Sequence, residues 1–197
     1  MRILAFSDLH HSRARAEAIV AASIDADLVI GAGDFCNMRA GLAGAMSLLA
    51  DIRRPMLFVP GNAESADELR AAAHEGMAVL HGEAIDIGGV RIFGLGYGVP
   101  VTPFGAWSCD LTEDEAAAAL QACRGADILV THSPPRGIAD ATSAGASVGS
   151  TAIRAAIERI GPQLALCGHV HDSWGRVGSI GGTRVCNLGP TPNWFEV

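Results

Sequence analysis

The sequence predicts an α/β fold with β-sheet covered by helices, and three observations predict it. Short apolar runs each end in a turn signature, alanine-rich segments separate the early runs, and Gly-rich turns join the late ones. Residues 3–6, 28–30, 57–59 and 128–130 are brief and apolar and lead into Ser-Asp, Gly-Ala-Gly-Asp, Pro-Gly-Asn and Thr-His, so they read as buried strands. Segments 12–24, 40–52 and 66–74 between them are alanine-rich and suit helices lying over a parallel sheet. Ser65-Ala66-Asp67-Glu68 and Thr112-Glu113-Asp114-Glu115 have capping-box spacing, which marks two helix starts. Ile153, Ala156, Ile157 and Ile160 share a face of a later helix that should stop at Gly161-Pro162. Residues 84–87, 90–95, 163–167, 174–177, 183–187 and 194–197 read as further strands, with antiparallel pairs expected. This order fits two sheets packed together with helices outside, and it also fits one mixed sheet.

A chain of 197 residues, 49% hydrophobic and 18% charged, predicts a single domain over 1–197 with a sizeable core and excludes disorder. Its apolar runs are far short of the roughly 20 residues that cross a bilayer. The opening Met1-Arg2-Ile3-Leu4-Ala5-Phe6-Ser7-Asp8 has no signal-peptide centre, which predicts a cytoplasmic protein. Cys36, Cys109, Cys123, Cys167 and Cys186 are scattered and odd in number, so buried free thiols are expected rather than a disulfide framework or thiolate zinc site. All 14 basic residues are arginine, which removes Schiff-base and P-loop lysine chemistry. A formal charge of −7 disfavours an extended nucleic-acid partner, so phosphate chemistry here must draw positive charge from a local source, and bound metal ions are the obvious one.

The polar residues at strand ends supply the means. Asp8-Leu9-His10 follows the first strand, and residues two apart on extended chain point the same way. Gly33-Asp34, Gly61-Asn62 and Thr131-His132 end three others, where a parallel sheet usually places its ligand site. Gly168-His169-Val170-His171 closes the set. Each alone reads as ordinary turn chemistry. Together, four histidines with Asp8, Asp34 and Asn62 point to one shared metal centre, whose mixed N and O donors suit Mn, Fe, Zn or Ni.

In this order the blocks resemble those of the calcineurin-like metallophosphoesterases: D-x-H at Asp8-Leu9-His10, G-D at Gly33-Asp34, G-N-H-[ED] at Gly61-Asn62-Ala63-Glu64, then His132, then G-H-x-H at Gly168-His169-Val170-His171. Gly33-Asp34-Phe35, Thr131-His132-Ser133-Pro134-Pro135 and the stretch through Gly175 look closest to the small phosphodiesterase subgroup that includes the animal metallophosphoesterase-domain proteins. The resemblance implies a four-layer α/β/β/α sandwich with two mixed sheets. It also implies two divalent ions, manganese foremost: Asp8, His10 and His171 on one, Asn62, His132 and His169 on the other, and Asp34 bridging. Catalysis would run through Asp34, Asn62 and His132, with a hydroxide between the ions attacking a phosphoester. One position departs: the family commonly has histidine after the metal-binding asparagine, where it protonates the leaving oxygen, and here it is Ala63. The expected substrate is therefore a small phosphodiester, including cyclic nucleotides. A phosphomonoesterase with the same site and a non-catalytic scaffold are the alternatives. No membrane partner is expected.

Other residues carry weaker signals. His11 is a candidate substitute proton donor, although neighbours on extended chain point to opposite sides. His74 and His81 read as solvated or packed, and Glu64 as either orienting Asn62 or favouring a helix N-terminus. Residues 96–107 and 133–150 read as loops beside the site. Tyr97, Phe104 and Trp107 either stack on a nucleobase or anchor the first loop.

Overall fold

The computed structural model describes residues 1–197. Its strands are β1 (Arg2–Phe6), β2 (Leu28–Ala32), β3 (Met56–Val59), β4 (Met77–Val79), β5 (Glu83–Ile87), β6 (Val90–Leu95), β7 (Ile128–Thr131), β8 (Leu164–Cys167), β9 (Val177–Ile180), β10 (Thr183–Asn187) and β11 (Asn193–Glu196). The helices are α1 (Arg13–Ser23), α2 (Leu42–Leu48), α3 (Ala66–Ala72), α4 (Glu113–Leu120) and α5 (Thr151–Ile160). The strands form two sheets, ordered β11-β1-β2-β3-β4 and β5-β6-β7-β8-β10-β9. β1 to β4 run parallel and β11 closes the edge antiparallel, Ile3 facing Phe195.

Side-chain alternation along each strand turns these sheets into four layers. Ile3 and Ala5 face the other sheet and join Ile30, Leu57, Ile92, Val130 and Leu166 in a core between the two. Leu4 and Phe6 face outward, where Val29 and Phe58 meet Ile19 of α1, Met46 of α2 and Leu69 of α3. Phe93, Leu129 and Val185 on the far sheet meet Leu120 of α4 and Ile153 and Ile157 of α5. The molecule is thus the four-layer α/β/β/α sandwich with two mixed sheets, not one mixed sheet. Strands covered on both faces read as unbroken apolar runs, which is why the sequence displays them.

Both capping boxes form, at Ser65 with Glu68 and at Thr112 with Glu115, and α5 ends on Gly161 in the left-handed conformation. Three expectations need correction. The second helix spans only Leu42–Leu48, because Gly41 takes a left-handed φ of 83° at its start and the chain past Leu49 continues only as turns. Residues 174–177 are not a strand: Gly175 turns the chain at φ 74°, and pairing begins at Val177. β4 is an additional edge strand of three half-buried residues, too short to show a period. The antiparallel pairs expected among the later strands form as β5–β6 and β9–β10, while β6, β7, β8 and β10 pair in parallel.

Candidate metal centre

The turns after β1, β2, β3, β7 and β8 meet at one end of the sandwich, and they bring Asp8, His10, Asp34, Asn62, His132, His169 and His171 into one connected set. Asp8 Oδ1 lies 3.7 Å from His171 Nε2, which lies 3.1 Å from His10 Nε2. His10 Nε2 lies 3.8 Å from Asp34 Oδ2, and Asp34 Oδ1 lies 3.3 Å from His132 Nε2. That nitrogen is also 3.1 Å from Asn62 Oδ1 and 3.2 Å from His169 Nδ1. Two triads result, Asp8 with His10 and His171, and Asp34 with His132 and His169. One Asp34 oxygen faces each.

Convergence comes from tight turns rather than from the extended alternation expected. Asp8, His10, Asp34 and His169 all take left-handed backbone, with φ of 53°, 48°, 58° and 69°, and His171 opens a short 3-10 turn. Such conformations cost energy outside glycine and persist where surroundings enforce them. The enforcing contacts are visible: Asp8 and His10 donate backbone N–H groups to Gly33 O and Asp34 O, at 2.9 and 3.0 Å. Phe35 anchors the Asp34 turn by stacking on Phe58, with centroids 4.7 Å apart. The glycines before the ligands serve close approach: a Cβ on Gly33 would stand 2.5 Å from the His132 ring, and one on Gly61 would collide with the Asp34 carboxylate.

Hydrogen bonds decide which atoms face inward. His132 Nδ1 lies 2.8 Å from Ala32 O, and His10 Nδ1 lies 3.2 Å from Cys36 O. A carbonyl only accepts, so both Nδ1 atoms carry the proton and both Nε2 lone pairs point into the cage. Asn62 Nδ2 donates to Ser108 Oγ at 3.1 Å, which leaves its Oδ1 facing inward too. Acceptor therefore confronts acceptor at 3.1 to 3.3 Å, which a shared cation would relieve. Two ligands at right angles on roughly 2.1 Å bonds stand about 3 Å apart, so the donor set fits a divalent ion.

The charges agree. Burial, with Asp8 nearby, pushes the Asp34 carboxyl up to about 7, and burial with His132 nearby pushes His169 down to about 3. Burial would raise Asp8 also, but the His171 imidazole, the His132 ring and the Ser7 hydroxyl hold it below the usual carboxylate range. His171 is correspondingly raised, first by the Asp8 carboxylate 3.7 Å away. Crowded acids and imidazoles of this kind lose their mutual strain when cations bind.

Several supporting residues carry no role in the sequence pattern. Ser7 Oγ and Trp174 Nε1 donate to Asp8 Oδ2 at 2.5 and 3.0 Å, orienting it. Trp174 lies outside any strand, and its ring also packs on His171, with centroids 4.3 Å apart. Glu64 neither touches the Asn62 side chain nor serves a helix N-terminus. It is fully buried and accepts the backbone N–H groups of Asp34, Phe35, Cys36 and Gly61, tying two ligand turns together. Asn187 donates to Gly168 O and Val170 O and so holds the His169 turn. Only Ser7, beside Asp8, and Glu64, inside a motif, give any local signal.

Other candidates lie elsewhere. The His11 ring packs against Gly41 and Gly44 at the start of α2. His81 packs at a tilt on Tyr97, with centroids 4.2 Å apart, and the Tyr97 hydroxyl accepts from Ala66 N, so both anchor the 96–107 loop. Cys36, Cys123, Cys167 and Cys186 are buried free thiols, and Cys109 is half-buried. No helix is long and apolar enough to cross a membrane.

Fold and cage together define a two-sheet protein with two groups of candidate metal ligands at one end. The model of the calcineurin-like phosphoesterase superfamily domain matches residues 1–195, and the chain belongs to that superfamily of metal-dependent phosphoester hydrolases. Solved structures share the fold at low identity. TT1561 of Thermus thermophilus is 18% identical with a TM-score of 0.76, over 98% of this chain and 97% of that one. The phosphopantetheinyl hydrolase of Mycobacterium tuberculosis is 17% identical with a TM-score of 0.61, over 95% and 89%. A dimetal phosphatase from Danio rerio is 12% identical with a TM-score of 0.61, over 96% and 88%. A comparison with curated proteins produced no match.

Proposed function

We propose that this protein is a phosphodiesterase that cleaves small phosphodiesters with two divalent cations, manganese foremost, held by the seven residues. The observation that carries this reading is Asp34, whose two oxygens face separate triads. Asp8, His10 and His171 would hold one cation, Asn62, His132 and His169 the other, and Asp34 both. Bound there, divalent ions supply positive charge for the phosphoryl oxygens and acidify water at neutral pH. The chain's own groups prepare the site. The Ala32 and Cys36 carbonyls fix the imidazole tautomers, and Ser108 orients the Asn62 amide. Ser7, Trp174 and the His169 N–H hold Asp8.

The preference for diesters rests on Ala63. This residue is buried, its N–H donates to Asp34 Oδ1 at 2.9 Å, and its side chain has no proton to give. General acid catalysis contributes roughly 10²–10⁴ in rate, and its loss weighs most on poor leaving groups. Activated or strained diesters, cyclic nucleotides among them, suffer least. Gly33-Asp34-Phe35 and Thr131-His132-Ser133-Pro134-Pro135 support membership of the small phosphodiesterase subgroup of the family. A small ester as substrate, no extended nucleic-acid partner and a cytoplasmic setting fit the acidic charge and the free thiols.

The test compares manganese-loaded protein on bis-p-nitrophenyl phosphate and p-nitrophenyl phosphate. Faster diester turnover is expected. Faster monoester turnover would assign a phosphomonoesterase, and no hydrolysis with no bound metal would assign a scaffold.

A further inference from the structure

Beside the cage lies a cleft that the metal ligands do not explain. Residues 99–104 form one wall and residues from 136 to 148 the other, around a volume of roughly 490 Å³ that reaches His169. Sites for small organic molecules span roughly 300–1,000 Å³. The walls are largely apolar. Of the six large hydrophobic side chains that the molecule exposes, three stand here: Val101, Phe104 and Val148. Single exposed apolar residues are ordinary, but three around one opening beside a polar cage mark a binding surface.

The aromatic wall is built. Phe104 lies flat on Trp107, with centroids 5.6 Å apart and planes within 8°, and presents its ring 6.4 Å from the His169 ring. Phe104 is 50% exposed, unlike Tyr97, which is committed to α3 and His81. Arg136 is the one fully charged side chain lining the cleft. Its backbone is fixed, since its N–H donates to Ser150 O and its carbonyl accepts from Arg154, both at 2.9 Å. Its guanidinium has no partner, although acids outnumber bases in this protein, 21 to 14.

We propose that this cleft seats the organic group of the phosphoester, and that it selects a flat, apolar group bearing a second anionic substituent, which Arg136 binds. The proposal rests on the phosphoester reading above. His169 carries it, because this residue belongs to the cage and also closes the cleft, so an ester at the cage directs its organic arm between Phe104 and Val148. Apolar walls provide affinity for a flat group, and a fork of guanidinium donors provides recognition of an anion.

Anilinonaphthalene sulfonate, a flat apolar anion, is the probe, with uncharged phenylnaphthylamine as its control. Fluorescence titration should show one saturable dye site per chain, and the dye should compete with bis-p-nitrophenyl phosphate. Arg136→Gln should weaken the sulfonate by about tenfold, the size of one charged hydrogen bond, and leave phenylnaphthylamine within about twofold. Val148→Asp should weaken both. Both positions are exposed, so neither change threatens folding. Wild-type dye affinity in both variants, or no saturable site, would overturn the cleft assignment. Dye binding needs no turnover, so an absence of hydrolysis on every ester would sink the phosphoester reading separately.

Discussion

Glu64→Gln strikes the residue that couples the Asp34 turn to the Asn62 turn. In the wild type, Oε1 accepts the N–H groups of Asp34 and Gly61 at 2.8 and 2.7 Å, and Oε2 those of Phe35 and Cys36 at 3.1 and 3.3 Å. A glutamine keeps the shape but offers an oxygen at only one of these places, so in either orientation two N–H groups face an NH2 donor. Each buried donor stripped of its partner costs about 1–3 kcal/mol, or about 2–6 kcal/mol for two. Part of this returns, because burial and the Asp34 charge push the Glu64 carboxyl up to about 7 and a neutral side chain escapes that penalty. The net loss should be about 2–4 kcal/mol. For a domain of this size, about 2–4 °C of Tm accompanies each kcal/mol, which gives a fall of about 4–16 °C. Urea and thermal unfolding followed by circular dichroism at about pH 8, where the wild-type side chain is ionised, measure it. Manganese content should fall with stability, since both turns carry proposed ligands. A loss under about 1 kcal/mol with unchanged manganese content would refute the clamp.

Asp34→Asn removes the charge that faces both triads, so manganese content after loading, read by elemental analysis, should drop from about two ions per chain to under one. Unchanged content and rate would defeat the bridging assignment. Ala63→His should raise kcat/KM for alkyl phosphate esters by about tenfold or more, within the range of general acid catalysis. An unaltered rate would mean that the leaving oxygen takes its proton from another group. Arg39 donates to both Glu68 oxygens, at 2.7 and 2.8 Å, and holds that carboxyl down to about 2, below its ordinary 4.5. Its stabilisation is therefore present above 4.5 and lost as pH falls towards 2, and solvent exposure limits it to about 1 kcal/mol. Unfolding of wild type and Arg39→Ala across pH should show a difference that vanishes at the acid end; a constant difference would disprove the linkage.

What is readable in the chain is local. Apolar runs such as Leu28–Ala32 announce strands because both their faces are buried, and Thr112 with Glu115 announces a helix start because both partners lie within one turn. Ligand residues are readable as types at strand ends, from Asp8 to His171. Their convergence is readable from the shared strand-end position and the order of the blocks, but its backbone route is not: Asp8 and His10 meet through left-handed turns rather than through extended alternation, and nothing in D-x-H encodes those turns. Trp174 resembles a strand residue because aromatic residues favour strands, yet its indole serves Asp8 across 166 positions.

By itself the sequence determined the inventory: which donors exist, the absence of lysine, and the caps and strands that short-range pattern enforces. Tertiary structure alone decided the partners. His10 meets His171 from 161 residues away, and His132 finds the Ala32 carbonyl from 100 residues away, which turns its lone pair inward. Such contacts depend on the two sheets packing through Ile30, Leu57 and Val130, and the free energy of that burial belongs to the assembled core.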